Sequence, residues 1–327
     1  FEAGEQGGAA AQRLGQVAYE DLMAGGQLAH VLDLSTRYGT EPLGQRGFIA
    51  HYVRGATAYA RARQAHEAEA SASTGPKVSA DDPATDPATI NRYREAASML
   101  GDAGKQDDVG KYNADLMRAM MLRGRALYYA GDLEPASEAF AQAAAQAQAL
   151  GPGSASDAQE ALWLAVVSMD ALIGKDPAAR GTARMDRLDE LSTLFVRLYP
   201  QSPRAAQLLI NQRTGSRVKD EEAVKTLLSV AKDAPIYEAS RRAAARVLYR
   251  LYRGAPGDER SFAAARFVAV AEEVLGADRR AAAAAKDADA KEAGTRVVTT
   301  ARQLLDALLS SGSPDVQRAQ AVLEVVE

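Results

Sequence analysis

The stretch Leu116–Leu150 reads LMRAMMLRGRALYYAGDLEPASEAFAQAAAQAQAL. Apolar residues recur every three or four positions on either side of Gly131-Asp132, the spacing that gathers side chains on one face of an α-helix. The period stops at Gly131 and restarts at Leu133, so the stretch predicts two helices, about 108–130 and 132–150, joined by a tight turn. Small residues at Gly124, Ala136 and Ala143 allow the two helices to approach closely, and Leu127 and Phe140 are the large groups left to fill the gap. A hairpin this thin cannot hide its apolar side alone and has to lie against another.

The same punctuation extends outward in both directions. Gly, Pro or Asp-rich breaks interrupt helical periods every 15 to 25 residues or so: Gly25-Gly26, Gly39, Gly151-Pro152-Gly153, Asp176-Pro177, Tyr199-Pro200, Pro235 and Gly254-Ala255-Pro256-Gly257. Between them the sequence predicts helices over about 9–23, 27–38, 43–70, 90–100, 156–172, 186–198, 203–211, 220–231, 236–253, 258–276, 278–309 and 314–327, besides the two quoted above. Fourteen such segments pair into about seven antiparallel hairpins. Alanine is roughly a fifth of the chain and aromatics only 6%, a composition that favours helices over the Val-, Thr- and aromatic-rich alternation of strands. The expected fold is therefore all-α, an α-solenoid of stacked hairpins. Residues 1–70 form N-terminal hairpins, 71–89 (SASTGPKVSADDPATDPAT) a flexible linker within the array, and 90–327 one continuous run of helical repeats.

The quoted hairpin resembles the tetratricopeptide repeat. Gly124 stands at the family's small position on the first helix and Leu127 at the large apolar position three later. Gly131 to Glu134 form the turn, and Ala136, Phe140 and Ala143 fill the small–aromatic–small slots of the second helix. Arg123 and Gln148 depart from the family's leucine and proline. A second stretch, FVRLYPQSPRA over Phe195–Ala205, resembles the junction between repeats in bacterial extracytoplasmic tetratricopeptide proteins such as outer-membrane assembly lipoproteins. The resemblance implies a right-handed superhelix, a protein-binding scaffold, and an inner groove lined by Arg118, Met121, Arg125, Tyr128 and Tyr129. A comparable stripe, Arg242, Arg246, Tyr249, Arg250 and Arg253, crowds one side of the segment before Gly254. Arginine and tyrosine on a groove wall suit the carboxylates and apolar side chains of a peptide.

Catalytic vocabulary is sparse. No cysteine is present, which excludes disulfides, thiolate metal sites and cysteine nucleophiles. The three histidines, His30, His51 and His66, lack metal-ligand spacing, and no phosphate-binding glycine loop or nucleophile elbow occurs. Asp81, Asp82 and Asp86 lack the glycine and distal glutamate of a calcium loop. Asp186, Asp189 and Glu190, interleaved with Arg184 and Arg187, read as surface ion pairs at helical spacing. A glycosidase pair would need a sugar-stacking cleft that one tryptophan, Trp163, hardly builds. A net charge of −4 disfavours nucleic acid, and no run reaches the length of a membrane-spanning helix. No cofactor is expected. The expected function is a non-catalytic scaffold binding a protein or peptide; the alternative is a helical domain of a larger enzyme or signalling protein, since the chain starts at Phe1 and its last helix shows no stop signal. Absence of cysteine and the Tyr-Pro junction lean toward a periplasmic or secreted bacterial protein.

Overall fold

The structure is a computed structural model that describes residues 9–25, 27–38, 40, 43, 46–72, 79–176, 182–211, 217–310 and 314–324. Among these residues there are fourteen α-helices and no strand. They are α1 Ala9–Ala24, α2 Leu28–Tyr38, α3 Phe48–Ala72, α4 Pro87–Ala103, α5 Asn113–Tyr129, α6 Leu133–Leu150, α7 Ala155–Lys175 and α8 Ala183–Leu198. After them come α9 Pro203–Ile210, α10 Asp220–Leu228, α11 Tyr237–Gly254, α12 Arg260–Ala284, α13 Asp287–Ser310 and α14 Val316–Leu323. Each helix packs mainly against the next in sequence, the pattern of a helical repeat array. The chain divides into two compact units, 1–187 and 188–327.

In the first unit the closest pairings are α3 with α4, α4 with α5, α5 with α6 and α6 with α7. Glycine is what lets two of these pairs close. A Cβ on Gly124 of α5 would lie 2.6 Å from the Phe140 ring of α6, and one on Gly55 of α3 would lie 2.7 Å from Leu100 of α4. Ala136 and Ala143 are fully buried beside Phe140, the arrangement expected from the sequence. Gly131 takes the turn at φ 79°, a conformation that a side chain disfavours. Leu127 packs against a cluster of Ala62, Tyr93, Ala96, Ala97 and Ala126. The N-terminal core gathers Tyr19, Val31, Phe48, Tyr52 and Val53 with Leu100 and Ala119, tying α1 and α2 onto α3 to α5.

The segment between α3 and α4 is described only from Ser79 onward, and that half is held in place. Thr85 Oγ1 and the Asp86 amide donate to Glu69 Oε1 at 2.7 and 3.0 Å, and the Ala84 amide donates to the Tyr129 carbonyl at 2.8 Å. Arg63 donates to the Ala80 carbonyl and pairs with Asp81. Asp86 then caps α4 through the Thr89 amide at 2.9 Å, ahead of Pro87.

In the second unit α11 is the most connected helix. It packs on α10 and α12, and three of its side chains reach one helix further. Tyr249 donates to Asp306 Oδ2 at 2.9 Å, Tyr252 to the Asp306 carbonyl at 3.2 Å, and Arg253 pairs with Asp306 at 3.2 Å. The core here comprises Leu248, Tyr252, Phe267, Val268, Leu275, Leu304 and Leu308. Exposed ion pairs each contribute only about 0–1 kcal/mol, so this apolar cluster carries the cohesion.

Three boundaries differ from the sequence reading. The break expected near Ala277 falls at Ala285 and Lys286, where Ala285 turns extended at ψ 156°. Gly276 resembles a helix stop, but the alanine run after it favours helix, and continuing the helix buries Asp278 between two arginines. α7 begins at Ala155, one residue before the predicted 156, because a 3-10 turn at Pro152–Ser154 leads straight into it. The last helix starts at Val316, capped by Asp315 accepting from the Arg318 amide at 3.0 Å, and closes at Leu323. Ser313 and residues 325–327 lie outside the described residues.

Candidate functional site

The predicted groove residues of α5 divide between surface and core. Arg118 is exposed and pairs at 2.8 Å with Asp115, one turn back. Met121 is half-buried over Met117, Ala147 and Ala158, in the seam with α6 and α7. Arg125 is exposed; burial pushes the pKa of the nearby Tyr59 hydroxyl above its ordinary value, and the Arg125 charge works against that shift. The two tyrosines are structural. Tyr128 lies edge-on to Tyr129 at 5.6 Å. Tyr129 lies tilted against Tyr93 at 5.4 Å and edge-on to His66 at 5.7 Å, with the Arg63 guanidinium 4.7 Å above its ring.

His66, which the sequence presents as surface or structural, is fully buried in that aromatic cluster. Its Nδ1 lies 3.2 Å from the Tyr93 hydroxyl, while Nε2 is buried without a partner among the described residues. Burial holds its pKa below the ordinary value, with the Arg63 charge acting in the same direction and Glu69, Glu67 and Asp82 opposing. His30 is exposed on α2 and His51 half-buried on α3. Among the described residues no three His, Asp or Glu side chains converge in metal-binding fashion.

The α11 stripe is largely neutralised from neighbouring helices. Arg242 pairs with Asp278 at 2.7 Å and Glu238 at 3.1 Å, and Arg250 forks onto both oxygens of Asp220. Tyr249 is taken by Asp306. Arg246 is exposed with no ion pair among the described residues. The neutralising acids come mostly from α10, α12 and α13. On α8, Arg184 reaches Glu134 and Asp176, Arg187 reaches Glu138, and Glu190 takes Arg217.

Two of the open grooves among the described residues are lined by charged side chains of both signs. One, of about 590 Å³ between α11 and α12, is charge-balanced: Arg241, Arg242, Arg280 and Lys232 face Glu238, Glu272 and Glu273. Its acids are committed, Glu273 to Tyr237 at 2.6 Å and to Arg241, Glu272 to Arg318 at 2.7 Å. The other, of about 470 Å³, runs between α3 and α4 and is lined by Arg54, Ala58, Arg61, Arg92, Glu95 and Met99, with Thr40 and Thr57 at its edge. Ser35 of α2 and Thr57 of α3 share a buried hydrogen bond at 3.0 Å, and Arg54 donates to the Thr40 carbonyl at 3.5 Å.

The helix register fixes how this second groove is charged. Gly55 abuts Leu100, and Ala62 and Tyr93 share one cluster, so the two helices run antiparallel with arginines of both on the groove wall. Arg61 and Arg92 are both exposed and have no ion pair among the described residues. Sequence reading passed over them because their spacing, one arginine on each of two helices, leaves no local motif.

No family model matches the chain, and no curated protein matches it. One similar solved structure is described as "Computational Design of Self-Assembling Cyclic Protein Homooligomers": 12% of residues are identical, 84% of this chain and 92% of that chain are covered, and the TM-score is 0.20.

Proposed function

We propose that this protein is a non-catalytic scaffold, a tetratricopeptide-like solenoid of helix hairpins that holds a protein or peptide in a helical groove. The observation that carries the reading is the α3–α4 groove, whose lining includes Arg61 and Arg92, both exposed and without an ion pair among the described residues. Elsewhere in the first unit Arg63, Arg94, Arg118, Arg184 and Arg187 are tied to carboxylates. An exposed guanidinium left without a carboxylate keeps its full capacity for a partner's acceptors.

The groove predicted on α5 gives way to this site, because Tyr128 and Tyr129 are needed for packing. A photo-crosslinker placed at Ala58 of the full chain tests the reading. It is expected to capture one dominant partner from native extract, and Arg61→Glu with Arg92→Glu is expected to abolish the capture at unchanged helix content. Capture that persists in the double variant counts against the groove.

A further inference from the structure

We propose that the segment Ser79–Asp86 is an acid-released strap, bonded to α3 and α5 at neutral pH and let go when the buried His66 imidazole takes up a proton. His66 is fully buried. Its Nδ1 lies 3.2 Å from the Tyr93 hydroxyl, and the Tyr93 and Tyr129 rings stand edge-on to it at 5.8 and 5.7 Å. Nε2 is buried without a partner among the described residues. A neutral imidazole carries one N–H, which the Tyr93 oxygen can accept; an imidazolium carries two, and a full charge. The second N–H would stand in an apolar, aromatic cluster with no acceptor, so the charged form calls for water.

The strap is what gives way, because its bonds to the helices end on the residues around that imidazole. The Ala84 amide donates to the Tyr129 carbonyl at 2.8 Å, Thr85 Oγ1 and the Asp86 amide share Glu69 Oε1, and Arg63 donates to the Ala80 carbonyl. The Ala84 side chain is buried in the cluster that holds Tyr93. Against the long α3–α4 and α4–α5 contacts these are few bonds, so local opening starts with the strap. Every neighbour of His66 brings titratable or charged groups: Tyr59, Arg63, Glu67 and Glu69 on α3, Asp81 and Asp82 on the strap, Tyr93 on α4 and Tyr129 on α5. Arg63 is paired with Glu67 at 2.9 Å, and Glu69 Oε1 is taken by the strap. Burial, with the Arg63 charge acting the same way, outweighs Glu69, Glu67 and Asp82 and keeps the folded-state pKa of His66 below the ordinary 6.5. With the strap open and water at the ring the proton binds at about that ordinary value, so opening is favoured as pH falls beneath it.

The test is amide exchange of the full chain, read by NMR at pH 7.5 and 5.5 and corrected for the pH dependence of intrinsic exchange. The Ala84 and Asp86 amides are expected to lose about three- to tenfold in protection at the lower pH, while the Ala136 amide, bonded to the Asp132 carbonyl, keeps its own. His66→Gln is expected to remove the pH dependence. Glu69→Gln, which keeps an acceptor for Thr85 and Asp86, is expected to retain it. Unchanged strap protection, an equal loss at Ala136, or the same pH dependence in His66→Gln overturns the proposal. So does its disappearance in Glu69→Gln, which would assign the release to that carboxylate. Should a variant fail to fold, the wild type decides alone: the chain has three histidines, few enough for each imidazole resonance to be assigned. That of His66 is expected to shift over the pH range in which the strap loses protection. Titration of His66 under a strap that stays protected, or strap release without titration of His66, overturns the proposal equally.

Discussion

At Gly124 the missing side chain is what the hairpin is built around. A methyl group there would sit 2.6 Å from the Phe140 ring, inside van der Waals contact with an aromatic that is itself 1% exposed. Gly124→Ala is expected to destabilise the first unit by about 1–3 kcal/mol, the usual cost of overpacking, despite the better helix propensity of alanine. Urea denaturation measures this, and Phe140→Leu in the same chain should recover part of the loss; an unchanged midpoint would show that Phe140 moves aside freely. His66 gives a second residue-level expectation. Because burial holds its folded-state pKa below the ordinary 6.5, the unfolded chain takes up the proton first as pH falls. Its contribution to stability is therefore complete above about pH 6.5 and is lost as pH drops beneath that value. The urea midpoint should fall more between pH 7.5 and 5.5 in the wild type than in His66→Gln. Parallel pH profiles would mean that Arg63, Glu67, Glu69, Asp82 and the flanking tyrosines offset the charge.

Among helices, arginine side chains connect rather than display. Asp278 is 1% exposed and is held by Arg242 at 2.7 Å, with Arg296 at 3.8 Å. Removing Arg242 leaves that carboxylate short of its nearest partner, and loss of one member of a buried pair costs about 3–5 kcal/mol. Arg242→Met should approach the lower figure because Arg296 remains, and Arg242→Met with Asp278→Leu should restore most of the stability. Thermal melts of the two variants compare them, and equal losses in both would deny the ion pair its role. This is also where sequence reading reached its limit. Periodicity located the helices and the Gly124–Phe140 contact, because both depend on residues within 20 positions of each other. It saw the basic, aromatic stripe of α11 but took it for a surface, since Asp220, Asp278 and Asp306 are 30 to 57 positions away from their partners. Arg61 and Arg92 were illegible for the converse reason: what marks them is that neither forms an ion pair among the described residues, which only the packed helices reveal. The break at Ala285 was missed because Gly276 mimics a helix stop, whereas the continuing helix is fixed by burial of Asp278.

At the scale of the molecule, two compact units with separate cores predict an unfolding transition that is not a single step. The second unit joins its helices through Arg250–Asp220, Arg266–Glu221, Arg253–Asp306 and Arg318–Glu272, all largely exposed. Salt screens such pairs. Raising ionic strength from 0.05 to about 0.5 M is expected to lower the stability of the second unit by about 1–2 kcal/mol in sum, and that of the first by less. Hydrogen exchange on the intact chain resolves the two; equal protection changes in both units would contradict the expectation.

Three side chains of α11 meeting Asp306, one helix beyond its neighbour, also bear on how this unit is made. In a chain of links each touching only the next, assembly can begin anywhere and creep outward. Here α11 cannot finish settling until α13 has been synthesised and has arrived, so during translation the growing polypeptide waits some fifty residues for its latch.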